Sequence, residues 1–250
     1  MNKCWAYELG DCRGKITQEH TISQGVFLEG AVKVQGFHWC KSEPKEIRRE
    51  RLTRGILCDT HNNELSHVVD PAAVAAMGFF RGEIVLTKAR AAIPPRRWTV
   101  ERKKLGGYFL ERWFLKTLIN LSFNGPYKVG RESEQFGKPS LRLVRAAFGR
   151  DVLRARAGLY GLGHVGQNLE IGDGVRTMSL LDADGVLVGA LFNLHGYRFA
   201  IWLEEEGLAR VPALPPFPGE NRTQQEAIHH LRAIRFMVLG NLSHVLQLQW

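Results

Sequence analysis

Four cysteines, Cys4, Cys12, Cys40 and Cys58, all lie in the first quarter of a 250-residue chain, and His61 follows Cys58 by three positions. A Cys-x2-His step on the first turn of a helix puts both side chains on one face, ready to share an ion. In a reducing compartment such a cluster beside a histidine reads as a metal site rather than as disulfides. Cys4 and Cys12, from an N-terminal loop, complete a tetrahedral Cys3His set of the structural zinc type. Four protein ligands leave no open position, so this ion would stabilise rather than catalyse. Cys40 reads as a small buried residue or a spare thiol, and as the alternative to Cys12 in the ligand set.

Hydrolytic chemistry needs a second, harder cation, and the residues that suit it are Glu19, His20 and Asn62. Oxygen ligands favour magnesium or manganese. Asn62 follows a zinc ligand directly and Glu19-His20 ends a strand, so the zinc staple would bring the two elements face to face. In that arrangement His20 takes a proton from water. A metal held by Glu19 and Asn62 stabilises the phosphorane-like charge and the leaving oxygen.

Three segments appear in a telling order: Cys4 to Cys12, then Glu19-His20-Thr21-Ile22-Ser23, then Leu57-Cys58-Asp59-Thr60-His61-Asn62-Asn63-Glu64-Leu65-Ser66 with Asp70 beyond. Together they resemble the HNH (ββα-metal) endonucleases that carry a structural zinc. The resemblance spans residues 4–70 and rests on the order of several short motifs. It implies a ββα-metal fold, with an acidic residue before a general-base histidine and an asparagine holding the catalytic metal. Those roles fall on Glu19, His20 and Asn62. The chain departs from the pattern in the wide spacing of its first ligand pair, in His61 where cysteine is usual, and in the long stretch between His20 and Cys58. The C-terminal histidine of the motif has no plain counterpart. His61 is committed to zinc, and His67 is the substitute. Asn63 competes with Asn62, because adjacent helical positions point about 100° apart and only one can face the site.

The elements that must position these groups are legible in outline. Gly14 to Thr17 reads as a short strand leading into Glu19-His20, Arg54 to Cys58 as a second strand, and Asp59 to Val69 as a helix by its spacing. Lys45 to Arg51 reads as one exposed basic helix inside a long excursion. Asp70-Pro71 gives an N-cap followed by proline at the first helical position, starting a helix through Met77. An aromatic-rich basic helix is expected over Glu101–Phe123, with Trp113 on its buried face rather than on a base-stacking platform. Met178 to Leu181, the turn Asp182-Ala183-Asp184-Gly185, Val186 to Leu191 and Tyr197 to Leu203 form a β-meander. Leu214 to Gly219 reads as a surface loop. A short helix over Gln224–Leu231 and strands near Phe236 and Val245 close the chain. The glycine pattern Gly161 to Gly166 lacks a following helix and is not a dinucleotide site. His164, His195, His229 and His230 show no ligand-like spacing.

Hydrophobic residues make up 44% and charged residues 24%, ordinary globular usage that excludes compositional disorder. No apolar run is long enough to span a bilayer and no signal-peptide pattern opens the chain, so a cytoplasmic protein away from membranes is expected. The formal net charge of +9 favours a polyanionic partner. Arg48, Arg49, Arg51 and Arg54 are the candidate phosphate grip, although basic residues interleaved with Glu46 and Glu50 equally describe a solvated helix face. Arg96, Arg97, Arg102, Lys103 and Lys104 form a second basic run, equally readable as linker.

The chain is thus expected to be an α+β protein. Residues 1–92 would form a zinc-stapled ββα-metal nuclease module with its following helix. Residues 100–250 would form an α/β C-terminal module with an antiparallel β-meander, through which oligomers are possible. The expected reaction is metal-dependent phosphodiester hydrolysis, with DNA favoured over RNA by the resemblance. The competing reading is a non-catalytic, zinc-dependent module that binds nucleic acid or protein.

Overall fold

A computed structural model describes residues 3–37, 40–41, 43–90, 101–163, 174–208, 214–217, 227–233, 236–238 and 244–250. In chain order the elements are β1 (Ile16–His20), β2 (Ala31–Gln35), β3 (Lys45–Arg48), β4 (Thr53–Cys58), α1 (Asp59–Val68), α2 (Asp70–Arg90), β5 (Glu101–Gly106), α3 (Gly107–Ser122), α4 (Leu141–Ala147), β6 (Gly158–Gly163), β7 (Gly174–Leu181), β8 (Leu187–Leu194), β9 (Tyr197–Trp202), β10 (Ala227–His230), β11 (Phe236–Val238) and β12 (His244–Gln249). The architecture is mixed α+β, as the sequence implies.

Strands β1 and β4 pair antiparallel from Ile16 opposite Cys58 to His20 opposite Thr53, with an irregularity between Thr17 and Gln18. Helix α1 leaves β4 without a loop, so strand, strand and helix come in the expected order. The excursion between the strands does not stay local. It carries β2 and β3 into a mostly antiparallel sheet of order β10-β6-β9-β8-β7-β2-β3, in which only β2 and β7 run parallel. Among the described residues β11, β12 and β5 form a third, three-stranded sheet, with β5 parallel to β12.

The sheet's centre, the meander β7-β8-β9, matches the alternating apolar runs that announce it. Both faces are covered, which is why β8 and β9 read as nearly continuous apolar segments. Phe192, Phe199 and Ile201 face a large core under α2 and α3, where Phe114 meets Phe192 and Phe199 at ring-centroid distances of 5.3 and 5.1 Å. Leu191, Ala200 and Trp202 face a smaller core with Leu208 and Phe217 on the other side.

Four expectations need correction. Lys45–Arg48 is an edge strand paired with β2, followed by a 3-10 turn at Arg49–Arg51, not a helix. Charged residues are exposed on a helix face and on a sheet edge alike, so charge did not discriminate, and edge strands are commonly protected by such charges. The helix expected from Glu101 begins only at Gly107. Its first six residues take the ladder offered by β12, and Gly106-Gly107 breaks the two apart. Ala227–His230 is a strand against β6 rather than part of a helix, while residues 224–226 of that expectation lie outside the described residues. Leu214–Phe217 has no regular structure, yet Phe217 is buried under the Arg198 guanidinium. Helix α2 starts at Asp70, one residue before the expected Pro71, with the Asp70 carboxylate engaged by Lys116, and continues to Arg90.

The boundary expected near 92–100 falls among residues outside the description, as do Arg96 and Arg97. One contiguous core nevertheless joins Cys4, Leu57 and Leu65 to Trp113, Phe192 and Leu248. Helix α3 is its axis, with twelve buried residues.

Where β2 hands over to the next turn, Gly36 has φ of +88°, and a Cβ there would stand 1.6 Å from the Thr177 carbonyl oxygen. Backbone against backbone cannot yield cheaply. Gly36→Ala is expected to destabilise the fold by at least about 2 kcal/mol, seen as a lowered urea midpoint at unchanged slope.

Candidate metal centre and the acid cluster beside it

Cys58 ends β4 and serves as the N-terminal flank of α1, while His61 lies in that helix's first turn. The N-terminal loop returns Cys4 and Cys12 to the same point through a 3-10 turn at Tyr7–Leu9, closed by Gly10 in the left-handed region. The backbone N–H of Trp5 donates to Ile56 O and so fixes the loop beside β4.

The ligand atoms of Cys4, Cys12, Cys58 and His61 all lie within 4.8 Å of one another. The three sulfurs stand 3.5, 3.5 and 3.2 Å from His61 Nδ1. A tetrahedral zinc with Zn–S of about 2.3 Å and Zn–N of about 2.0–2.1 Å requires S···N edges of about 3.6 Å. The four residues therefore fit one ion such as zinc. Cys40 is elsewhere, buried with its thiol toward Val34 O. Among the described residues no other group of three or more histidine, cysteine or carboxylate ligands meets this condition.

Two residues not singled out in the sequence complete the centre. Asp11 Oδ1 lies 2.7 Å from His61 Nε2, and Arg150 donates to Asp11 Oδ2 at 2.6 Å. Burial opposes ionisation of Asp11, but the hydrogen bonds from Arg150 and His61 hold its carboxyl below the ordinary range. An ionised carboxylate only accepts, so Nε2 carries the ring proton and Nδ1 is left for the metal. The Phe148 ring meets His61 edge-on at 4.9 Å and fixes its plane. Asp11 was open to detection as the neighbour of Cys12. Arg150 had no signal, because its approach depends on α4.

The thiols are not equivalent. Burial, then the Cys4 charge, pushes Cys12 up to about 12, and burial raises Cys4 as well. Burial opposes ionisation of Cys58 too, but backbone hydrogen bonds from His61 and Arg13 outweigh it and lower that thiol.

The second constellation lies at the far end of β1. Glu19 is almost wholly buried, and its Oε1 is 2.6 Å from Lys116 Nζ, which also contacts Asp70 Oδ1 at 2.8 Å. Asn120, one turn along α3, donates to Glu19 Oε1 and to the His20 carbonyl, and accepts from Trp5 Nε1. Burial raises the Glu19 carboxyl and the Lys116 ammonium opposes that rise. His20 is half-buried. Desolvation first, and Lys116 second, pull its ring below the ordinary histidine value against the influence of Asp70 and Glu50, so it is neutral at pH 7.

Asn62 is engaged differently. Its amide donates to Thr17 Oγ1 at 2.8 Å and accepts from Ser66, stitching α1 to β1. Asn63 and His67 are exposed. The amide that reaches Glu19 comes from Asn120 of α3, which no local pattern in residues 4–70 reveals. Of the basic residues, Arg54 donates to the Asn120 and Phe123 carbonyls at 2.9 Å and so caps α3, while Arg49 donates to Phe27 O. Arg48 and Arg51 are exposed, as are Arg102, Lys103 and Lys104 on β5. His195 packs its Nε2 against Val26 O, and His164 lies outside the described residues. Trp113 is fully buried and donates to Ser23 Oγ, so it is no base-stacking platform.

No family model, curated protein or solved structure matches this chain.

Two outcomes are expected of the metal centre. Asp11→Asn should weaken zinc binding by about 10–100-fold in a chelator competition, because the ring loses its anionic partner. Zinc uptake near pH 7 should release at least two protons, one from Cys4 and one from Cys12. Apparent affinity would then rise with pH, as titration calorimetry in buffers of different ionisation enthalpy would detect.

Proposed function

We propose that this protein is a zinc-stapled HNH-type endonuclease that hydrolyses phosphodiester bonds, with DNA as its substrate. One observation carries the reading. His20, half-buried and held neutral, ends the strand that pairs with β4, whose last residue, Cys58, belongs to the Cys3His cluster, and it stands beside Glu19, Asp70 and Lys116. A neutral imidazole can accept a proton from a water that attacks phosphorus. The P–O bond to the leaving oxygen breaks, that oxygen takes a proton from solvent, and the imidazolium returns its own to solvent. Neutralisation of phosphates by a chain of net charge +9 would bring a polyanion to it. Zinc would supply folding energy at the staple, which joins the N-terminal loop to the end of β4 and the start of α1.

The resemblance also implies magnesium or manganese on Glu19 and Asn62. Those two side chains have separate partners: Glu19 is paired with Lys116 and Asn120, and Asn62 with Thr17 and Ser66. The residues do not fit that ion, and no step of this mechanism passes through it. Glu19, through Lys116 and Asn120, orients the end of β1 and the backbone of His20. Arg48 and Arg51 remain available to phosphates, whereas Arg54 is used internally.

The burial of Glu19 and Lys116 also suits a second reading, a non-catalytic zinc module that binds nucleic acid. Plasmid cleavage separates the two. Wild-type protein with full zinc content should cut. His20→Ala should lose about 10²–10⁴-fold in rate while zinc content and DNA affinity stay unchanged. Equal activity in the variant would remove His20 from the mechanism. Salt-sensitive DNA binding without any cleavage would establish the binding module instead.

A further inference from the structure

The geometry points to Lys116 as the resident cation of the acid cluster at the end of β1, seated between Glu19 and Asp70 and excluding a divalent metal from them. Resting on the nuclease reading, it follows that hydrolysis at His20 proceeds with zinc as the only bound metal.

Three observations lead there. The ammonium is 2.6 Å from Glu19 Oε1 and 2.8 Å from Asp70 Oδ1, so one charge already bridges both carboxylates at charge-assisted hydrogen-bond distances. The Lys116 side chain is 1% exposed and that of Glu19 3%, while that of Asp70 is 21% exposed, so water reaches the Asp70 side of the bridge but not its Glu19 side. Magnesium sheds its waters reluctantly and demands near-octahedral oxygen ligation, so a protein usually offers it one or two carboxylates in an open, hydrated place. Here the Glu19 carboxylate is closed off from water and already bridged to Asp70 by the ammonium.

Finally, Lys116 has no easy way out. It is carried on α3 between Trp113 and Asn120, both fully buried, and its stem lies in the same interior. An ion entering between Glu19 and Asp70 would leave the ammonium buried without a counter-charge, a strongly unfavourable state. The supporting amide is already in position, since Asn120 holds both Glu19 and the His20 carbonyl. Lys116 does not touch substrate. It is a positioning residue that balances the charge of the acid pair and fixes the strand end carrying His20.

The test uses full-length, zinc-loaded protein titrated with Mn2+ and followed by electron paramagnetic resonance, with and without a DNA duplex. No Mn2+ bound to wild type, beyond what the duplex binds by itself, is the expected result. One Mn2+ per chain, lost in Glu19→Gln, would overturn the assignment. In Lys116→Ala, the two carboxylates face an opened space and a Mn2+ site should appear. Wild type alone decides the matter if that variant does not fold. Cleavage by the zinc-loaded enzyme should change by no more than about twofold when millimolar magnesium is added. A strict magnesium requirement would sink the inference and leave the nuclease reading intact. Absence of cleavage in every condition would defeat the nuclease reading, while the Mn2+ titration would still judge the seat.

Discussion

The structure depends on the burial of α3. This helix is surrounded on nearly every side, yet it carries Glu111, Arg112, Lys116, Thr117 and Asn120 among its buried residues. A charge in such surroundings costs several kcal/mol unless it is paired and hydrogen-bonded. Each charged residue therefore dictates what must come to meet it. Glu111 draws Arg232 and the backbone N–H of Leu159, Arg112 takes the Ala147 carbonyl, and Lys116 takes Glu19 and Asp70. These demands draw β1, the start of α2, α4, β6 and the segment after β10 to one axis.

The Cys3His cluster applies a second, local constraint. It binds the N-terminal loop to the junction of β4 and α1, where a short two-stranded pairing has little core of its own. Its outer partners reach further. Asp11 orients His61 and is itself held by Arg150, just beyond α4, so the metal centre is tied to the same body that α3 organises. Metal binding and the packing of α4 should consequently be coupled.

The two constraints meet at β1. One end of the strand pairs with Cys58 and the other ends at His20, beside the Glu19–Lys116–Asp70 bridge. Asn120 is the link between them, bonded at once to Trp5 of the N-terminal loop, to Glu19 and to the His20 backbone. A histidine held in this way has a fixed backbone and a depressed proton affinity, and these are the properties a general base uses.

Local spacing in the sequence was enough to pair Cys58 with His61, because Cys-x2-His at a helix start is a short-range geometric relation, although it left Cys40, the thiol nearest to Cys58, as an alternative to Cys12 until the fold placed Cys4 and Cys12 in the candidate cluster. It also located the meander, whose alternation reflects a sheet covered on both faces, and the start of α2, which Asp70-Pro71 specifies by its own backbone chemistry. Lys45–Arg48 and Glu101–Gly106 were read as helical because their own residues do not contain the information. Each became a strand only when β2 and β12 offered a ladder. The acid cluster followed the same rule. Glu19, Asp70, Lys116 and Asn120 are spread over a hundred positions, and nothing in the chemistry of one names the others. Only the tertiary structure decided that the cation beside Glu19 would be the ammonium of Lys116, because burying α3 forces that charge to find the nearest carboxylates.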